Sequence, residues 1–587
     1  MAQQQESREH TSPEQDQVML AGWGRSAINV DARGYAMHGF GMWQHRAHGQ
    51  RTPLYARAFC IRDSQQQTLV FCCLDLGYVT HAMRAGAIEQ LQLGLGKAFR
   101  EDTFVLTCTH THSGPGGCSH DALYNLVTPG FQPAHLQAVI AATVAAVIEA
   151  VESLEPTTLT LGSQTFEAGV PVAWNRALRA YNRNTDVTPV RDTETHLALN
   201  RRMQTLAFHR NGTLQSLLSL FGVHATCISS HLSEYDGDNK GYAAHQAEDR
   251  LQAAGARKPV AIFAQGTAGD VSPHYHGPGQ MARRKKIHGE AEYAYAAKNG
   301  EYQSQLALSS ATAKGETIHG SIDAILSYVD FSHIHADAQF AEGNNEAWTS
   351  DPCHGVSFFT GTPVDGLGMP KPLGMLTTGI ARALRKYRLE KSAPQERDYY
   401  QKLYAAQDPK PVLLESGRKR ILGQTLDKLA LPGFVDPLVG ELKRQVSTGA
   451  IRESALVPTV LPLQIVIIGQ LAIVCCPGEF TTTAGKRVRD VVDGILRGRG
   501  IQHTLICTYC NDYMGYVTTP EEYREQTYEG GHTIFGQWTL SAFQTRFSRL
   551  AAELLKAPAA RSHDQITRPE PAPADELALR SNLPAPV

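Results

Sequence analysis

From residue 19 to about residue 555 the chain alternates short apolar runs with longer segments of helical character, with no internal repeat and no clear linker. Residues 69–74 and Phe104–Cys108 are strand-like runs. Pro133–Glu152 predicts a helix, and its apolar centre, residues 138–148, predicts that the helix is buried. Arg210-Asn211-Gly212-Thr213 separates the apolar runs 205–208 and 214–223. Asn-Gly suits a type I′ turn, so this is a hairpin signal. Gly469-Gln470, between 463–468 and 471–476, predicts a second hairpin, and 483–496 predicts a helix with its charges on one side. Hairpins together with βα units imply an α/β fold, a mixed β-sheet core flanked by helices.

The segments outside that pattern divide the chain in three. Residues 1–18 are rich in Gln, Glu and Ser with no apolar core, which predicts a disordered leader and no secretory signal. Residues 19–555 form one catalytic domain, and 556–587 read as a Pro/Ala-rich tail. No run approaches the roughly 18 apolar residues of a membrane span, and nothing in the linear pattern reads as a membrane-docking surface. Lys and Arg total 55 against 57 acidic residues, a formal charge of −2, so the balance gives no electrostatic case for nucleic acid. The run Arg283-Arg284-Lys285-Lys286 reads as a solvated face. Cysteines number eleven, an odd count. Cys72-Cys73 and Cys475-Cys476 lie in strand-like runs, where neighbours point to opposite faces, so they read as small core residues in a reducing compartment, with the cytoplasm as the expected location.

Candidate chemistry gathers where strands stop. Thr109-His110-Thr111-His112-Ser113-Gly114-Pro115-Gly116-Gly117 begins at the end of an apolar strand. Two His two residues apart on an extended chain share a side, a spacing that suits one metal. His224 ends another apolar run; a lone His there is more commonly structural. Glu479 follows the break Pro477-Gly478 and precedes a helix, where an N-terminal acid is sufficient explanation by itself. Tyr513, Tyr516, Tyr523 and Tyr528 crowd the loop after the last strand, either as packing groups or as phenols acting beside a cation. Ser272, in Gly269-Asp270-Val271-Ser272-Pro273, could be a nucleophile or a substrate anchor, but the segment is not a G-x-S-x-G elbow. Ligands in open α/β sheets bind beyond the strand carboxyl ends, and two imidazoles with a carboxylate form a common catalytic zinc set.

Along residues 20–550 the sequence resembles the neutral/alkaline ceramidase family. The likeness is carried by the Thr109–Gly117 motif, Tyr55-Ala56-Arg57-Ala58-Phe59, Trp174-Asn175-Arg176, Gly269–Pro273, Tyr328-Val329-Asp330-Phe331, Pro409-Lys410-Pro411, Pro477-Gly478-Glu479 and Tyr516-Val517-Thr518-Thr519-Pro520-Glu521-Glu522-Tyr523, in that family's order. The resemblance implies a zinc ion (Zn2+) held by His110, His224, Glu479 and Tyr516. It implies that His112, Arg176 and Tyr528 surround the scissile amide, and that Ser272 is either a catalytic group or a partner of a substrate hydroxyl.

The chain departs from the family's pattern at Gly49-Gln50-Arg51, at His274 where Asn is usual, and in a basic, helix-like insert over 281–298. No immunoglobulin-like domain is expected after the catalytic domain. The implied activity is hydrolysis of an N-acyl amide bond of a lipid or small-molecule substrate. The alternatives are a zinc amidase or esterase acting on a soluble substrate, and a non-catalytic binding protein. Homo-oligomerisation stays open.

Overall fold

The computed structural model describes residues 19–126, 128, 130–274, 286–362, 365–429 and 437–581. The expected leader, the last six residues of the tail and most of the run Arg283-Arg284-Lys285-Lys286 lie outside them. The large sheet is built from β1 (Met19–Ala27), β2 (Tyr55–Arg62), β3 (Thr68–Leu74), β4 (Phe104–Cys108), β5 (Glu155–Thr165), β6 (Arg202–Arg210), β7 (Thr213–Leu220) and β8 (Ala261–Ala264). Their order is β8-β7-β6-β5-β1-β2-β3-β4, and the short strand Glu316–Ile318 also pairs with β5. A second sheet has the order β9 (Ile322–Asp330), β10 (Val460–Ile468), β11 (Leu471–Cys475) and β12 (His503–Cys507).

Both hairpins form where the turn chemistry put them. Asn211 and Gly212 have φ of 50° and 74°, as a type I′ turn requires, and Arg210 pairs with Thr213. Ile468 pairs with Leu471 across Gly469-Gln470.

The two sheets share one apolar layer. Trp23, Phe59, Phe71, Phe208 and Leu218 of the large sheet meet Val466, Ile468, Ile473 and Leu505 of the smaller. Phe59 and Phe208 stack with ring centres 4.3 Å apart. Helices cover the outer faces: α1 (His81–Leu95) and α2 (Pro133–Glu152), then α3 (Asp238–Ala253) and α4 (Glu290–Thr312) on the large sheet, with α5 (Thr482–Leu496) and α6 (Thr539–Leu554) on the small one. Central strands such as Thr68–Leu74, Phe104–Cys108 and Leu471–Cys475 are therefore buried on both faces. This explains the cysteine doublets: Cys73 and Cys475 enter the layer between sheets, whereas Cys72 and Cys476 face the helices. All eleven thiols are buried and free.

By length and composition α2 is apolar enough to cross a membrane, but here it is a core helix lying on β1 and β2. Its approach depends on Gly22 and Gly24, where a Cβ would sit 2.1 Å and 2.5 Å from the carbonyl oxygens of Ala150 and Ala146.

Two features could not be read from the sequence. The Pro/Ala-rich tail is docked on the domain. Ser327 donates to the Asp564 carbonyl at 2.9 Å, Arg561 pairs with Asp323, and the helix Ala574–Ser581 buries Glu576 as acceptor of the Ser454 N–H at 2.9 Å. Pro and Ala leave no apolar pattern to read, so this docking by single polar contacts was hidden. The second concerns the strand ends. Counted along the sheet, β4 and β7 run in opposite directions, so a flat open sheet would place their exits at opposite edges. Instead Thr111 and Ala225, just beyond them, form a parallel bridge. Six strand-to-strand steps of roughly 20–25° turn β7 by about 120–150° relative to β4, which brings the exits together. The edge strand β8 accordingly packs near β2 and β3.

Candidate metal centre and active site

The curled sheet delivers His110 and His224, and the second sheet delivers Glu479 and Tyr516. Glu479–Phe480 and Tyr516–Val517 are two short parallel strands in which Glu479 pairs with Tyr516, so both side chains enter the site side by side. Glu479 lies ahead of the helix: Thr481 is the N-cap of α5, its hydroxyl accepting the Ala484 N–H. The helix-terminus explanation for this acid therefore does not apply.

Shared strand geometry is not what aligns His110 and His112. β4 stops at Cys108, and His110 has a left-handed φ of 64°. That kink, not alternation on an extended strand, sets the two Nε2 atoms 3.1 Å apart.

The four atoms proposed by the sequence to bind metal converge. His224 Nε2 is 3.1 Å from Glu479 Oε2 and 3.2 Å from Tyr516 Oη, and His110 Nε2 is 3.5 Å from Glu479 Oε2. Tetrahedral ligands at about 2.0–2.1 Å from zinc are about 3.3 Å from one another, so the spacing suits such an ion. The imidazoles are oriented for it as well. His110 Nδ1 donates to the Gly77 carbonyl at 2.5 Å, and His224 Nδ1 to the Val271 carbonyl at 3.0 Å. These bonds fix the tautomer that leaves each Nε2 lone pair facing inward.

Nitrogens of His110, His112 and His224 also lie within 4.8 Å of one another and could share an ion. His112 lacks the orienting bond, since its Nδ1 has no partner. Its ring packs against Phe40 at 4.6 Å and under Gly39. His110 and His224 are thus oriented as metal-binding imidazoles would be, and His112 is a group beside them. Burial, followed by the charges of its two neighbours, holds His112 well below the usual imidazole range, so it is neutral.

Glu479 is held by two phenols: Tyr513 donates to Oε1 at 2.5 Å and Tyr509 to Oε2 at 3.1 Å. Burial opposes its ionisation, but His110 and His224 keep the carboxyl well below its ordinary value. Arg176 anchors the other wall. It donates to Tyr516 Oη, Glu529 and Asp365 at 2.9 Å each and to the Gly269 carbonyl at 3.0 Å. Burial pushes the Tyr516 phenol up, as does the Glu479 charge, while Arg176 pulls it down. Tyr528 stands edge-on to Tyr516, ring centres 5.3 Å apart, and 5.7 Å from the Arg176 guanidinium carbon. Ser272 donates to Asp365 at 3.0 Å, as does Thr226.

All eight site residues named from the sequence therefore occupy one buried region. Sequence reasoning missed Asp365, Tyr509 and His38. Asp365 lies in a stretch of sequence with no periodicity to mark it. His38, stacked on Tyr78 at 3.6 Å and pushed down to about 3 by burial and the nearby His110, lies in a two-residue strand. Other motif residues are structural. Arg57 is buried between Glu248 and Asp75, the latter just ahead of Gly77, and Lys410 donates to the Cys353 and Thr533 carbonyls.

A surface cavity of about 730 Å³ lies elsewhere. It lies at the opposite end of β4, lined by Arg100, Arg499, Arg561 and Arg568, each paired with Asp102, Asp323 or Glu101.

Comparison with known proteins identifies the relatives of this chain. The family model for neutral/alkaline non-lysosomal ceramidases, N-terminal part, matches residues 19–428 and 443–545. The chain belongs to the neutral/alkaline ceramidase family. It is 30% identical over 553 residues to the neutral ceramidase of Pseudomonas aeruginosa, covering 91% of this chain and 72% of that one. It is 29% identical over 551 residues to that of Mycobacterium tuberculosis, covering 91% and 77%. Among solved structures, a ceramidase complexed with C2 superimposes with a TM-score of 0.75 at 28% identity, over 93% of this chain and 77% of that one. The crystal structure of the Pseudomonas aeruginosa neutral ceramidase gives 0.73 at 28% identity, over 94% and 79%. The His274 imidazole is buried with Nε2 3.9 Å from Asp365.

Proposed function

We propose that this chain is a zinc-dependent amidase that hydrolyses the N-acyl bond of a ceramide-like lipid. Family membership supports amide hydrolysis; the observation that carries the metal is the convergence of His110, His224, Glu479 and Tyr516 with both His Nδ1 atoms committed to carbonyls. These four would hold the ion. The chemistry supplied by zinc at such a centre is Lewis acidity toward a carbonyl and toward a water.

The chain's own groups do the rest. Neutral His112 abuts the ligand set and is the group placed to carry a proton to the leaving amine. Tyr528 can donate to a developing oxyanion; one such donor typically accounts for about 2.7–4 kcal/mol of barrier. Arg176 stays charged and fixes Tyr516, Glu529 and Asp365 in one frame, a positioning role.

Ser272 is better suited to positioning than to attack. Its hydrogen-bond acceptor, Asp365, is opposed by burial but held at about 2 by Arg176, His274 and His224, and a carboxylate that acidic is a weak base. We read Ser272 as the partner of a substrate hydroxyl.

The test is turnover of matched amides and esters, from long-chain ceramide to short N-acyl amines. Preference for the amide with a long acyl chain supports the proposal. Faster ester turnover, or activity confined to short soluble amides, favours the alternative of a soluble-substrate hydrolase.

A further inference from the structure

Among the described residues, eleven large hydrophobic side chains are exposed, and five of them sit on the helix Lys371–Lys391. Leu373, Leu376, Ile380 and Tyr387, exposed by 47%, 61%, 45% and 60%, recur at helical spacing with Ala383 between them, and Met375 stands out at 77%. Leu373, Leu376, Ile380, Ala383 and Tyr387 form one apolar stripe along the solvent side, with Met375 apart from it, while Gly374, Thr377, Ala381 and Arg388 face the protein. Six basic residues against one acidic make the helix strongly cationic. Arg385 and Arg388 pair with Asp408 and Glu415; Lys371, Arg382, Lys386 and Lys391 are without an ion pair among the described residues.

The stripe starts beside the candidate active site. Met369 N–H donates to the Phe359 carbonyl at 2.6 Å, and the neighbouring Phe358 ring lies 5.5 Å from Tyr528. The segment leading into the helix carries Asp365, and the adjoining Gly366 abuts Phe40 and Met42, with Phe40 resting on His112. Half-buried Phe40, Met42 and Trp43 thus continue the apolar surface to the catalytic groups.

We propose that Lys371–Lys391 docks the protein on an anionic lipid surface, apolar stripe inserted and basic flank on the headgroups. A large apolar face next to unpaired Lys and Arg is the pattern of interfacial helices. Like charges disfavour a second copy of the chain as occupant, because an isologous contact would set basic flank against basic flank. The link to catalysis rests on the lipid-amidase reading; the docking itself does not.

The experiment uses the full chain with vesicles of phosphatidylcholine, with and without phosphatidylglycerol, in a sedimentation assay. The expected result is binding to the anionic vesicles that weakens with salt. Leu376→Asp with Ile380→Asp should weaken it at least about tenfold, and Arg382→Glu with Lys386→Glu should abolish the anionic preference. Neither pair touches the site, so turnover of a soluble short-chain N-acyl substrate should be unchanged while turnover of vesicle-embedded ceramide falls. Vesicle binding without any amide turnover would sink the lipid-amidase reading and leave the docking surface standing. Failure of the wild type to bind, equal binding by the aspartate variant, or a dimer that Leu376→Asp dissolves without vesicle binding would each overturn the proposal.

Discussion

Tyr513→Phe removes a single oxygen and should weaken the metal centre selectively. The Tyr513 hydroxyl donates to Glu479 Oε1 at 2.5 Å, inside a site where both groups are buried. Hydrogen bonds to charged groups contribute about 1.5–3 kcal/mol. Loss of an outer-shell partner typically costs 10–100-fold in metal affinity, about 1.4–2.7 kcal/mol, so two independent routes give the same range. Tyr509→Phe, whose contact is longer at 3.1 Å, should cost less. Competition against a chromophoric zinc chelator measures both constants, and melting of the metal-free proteins reports the fold separately. Affinity within about twofold of wild type for Tyr513→Phe would refute Glu479 as a ligand braced by this phenol.

Gly39→Ala should act on chemistry and spare metal binding: at φ 137° its Cβ would fall 2.3 Å from the His112 ring. A fall in kcat of about 10²-fold with zinc affinity preserved is expected, checked by parallel kinetics and titration. Asp365 predicts an acid limb of stability. Against burial, Arg176 holds its folded pKa at about 2, below the ordinary carboxylate value of 3.8, so its contribution, about 2 kcal/mol, is complete above about pH 5 and lost as the pH falls toward 2. Circular dichroism should show Asp365→Asn losing stability less steeply than wild type across that window. With all eleven thiols buried, Ellman's reagent should titrate none in the native protein and eleven after denaturation.

Much of the architecture was legible because local chemistry and global fold agree. Asn211-Gly212 fixed one hairpin through its positive φ values, and Pro133–Glu152 formed the buried helix its composition indicated. The cysteine doublets marked strands buried on both faces. What could not be read is non-local. The meeting of His110 with His224 depends on accumulated twist over six strand steps, a property of the assembled sheet. Asp365 matters through Arg176, Thr226 and Ser272, which are distant in sequence. The apolar stripe on Lys371–Lys391 has ordinary amphipathic periodicity, and only the structure shows that its apolar side is left uncovered.

The most direct test of the metal-dependent amidase is ceramide turnover in mixed micelles by protein stripped of metal, then reconstituted with zinc, beside His110→Ala treated identically. The account predicts no turnover without metal, recovery with about one zinc per chain, and neither recovery nor stoichiometric zinc in the variant. Full activity in metal-free protein, or in His110→Ala, would contradict it.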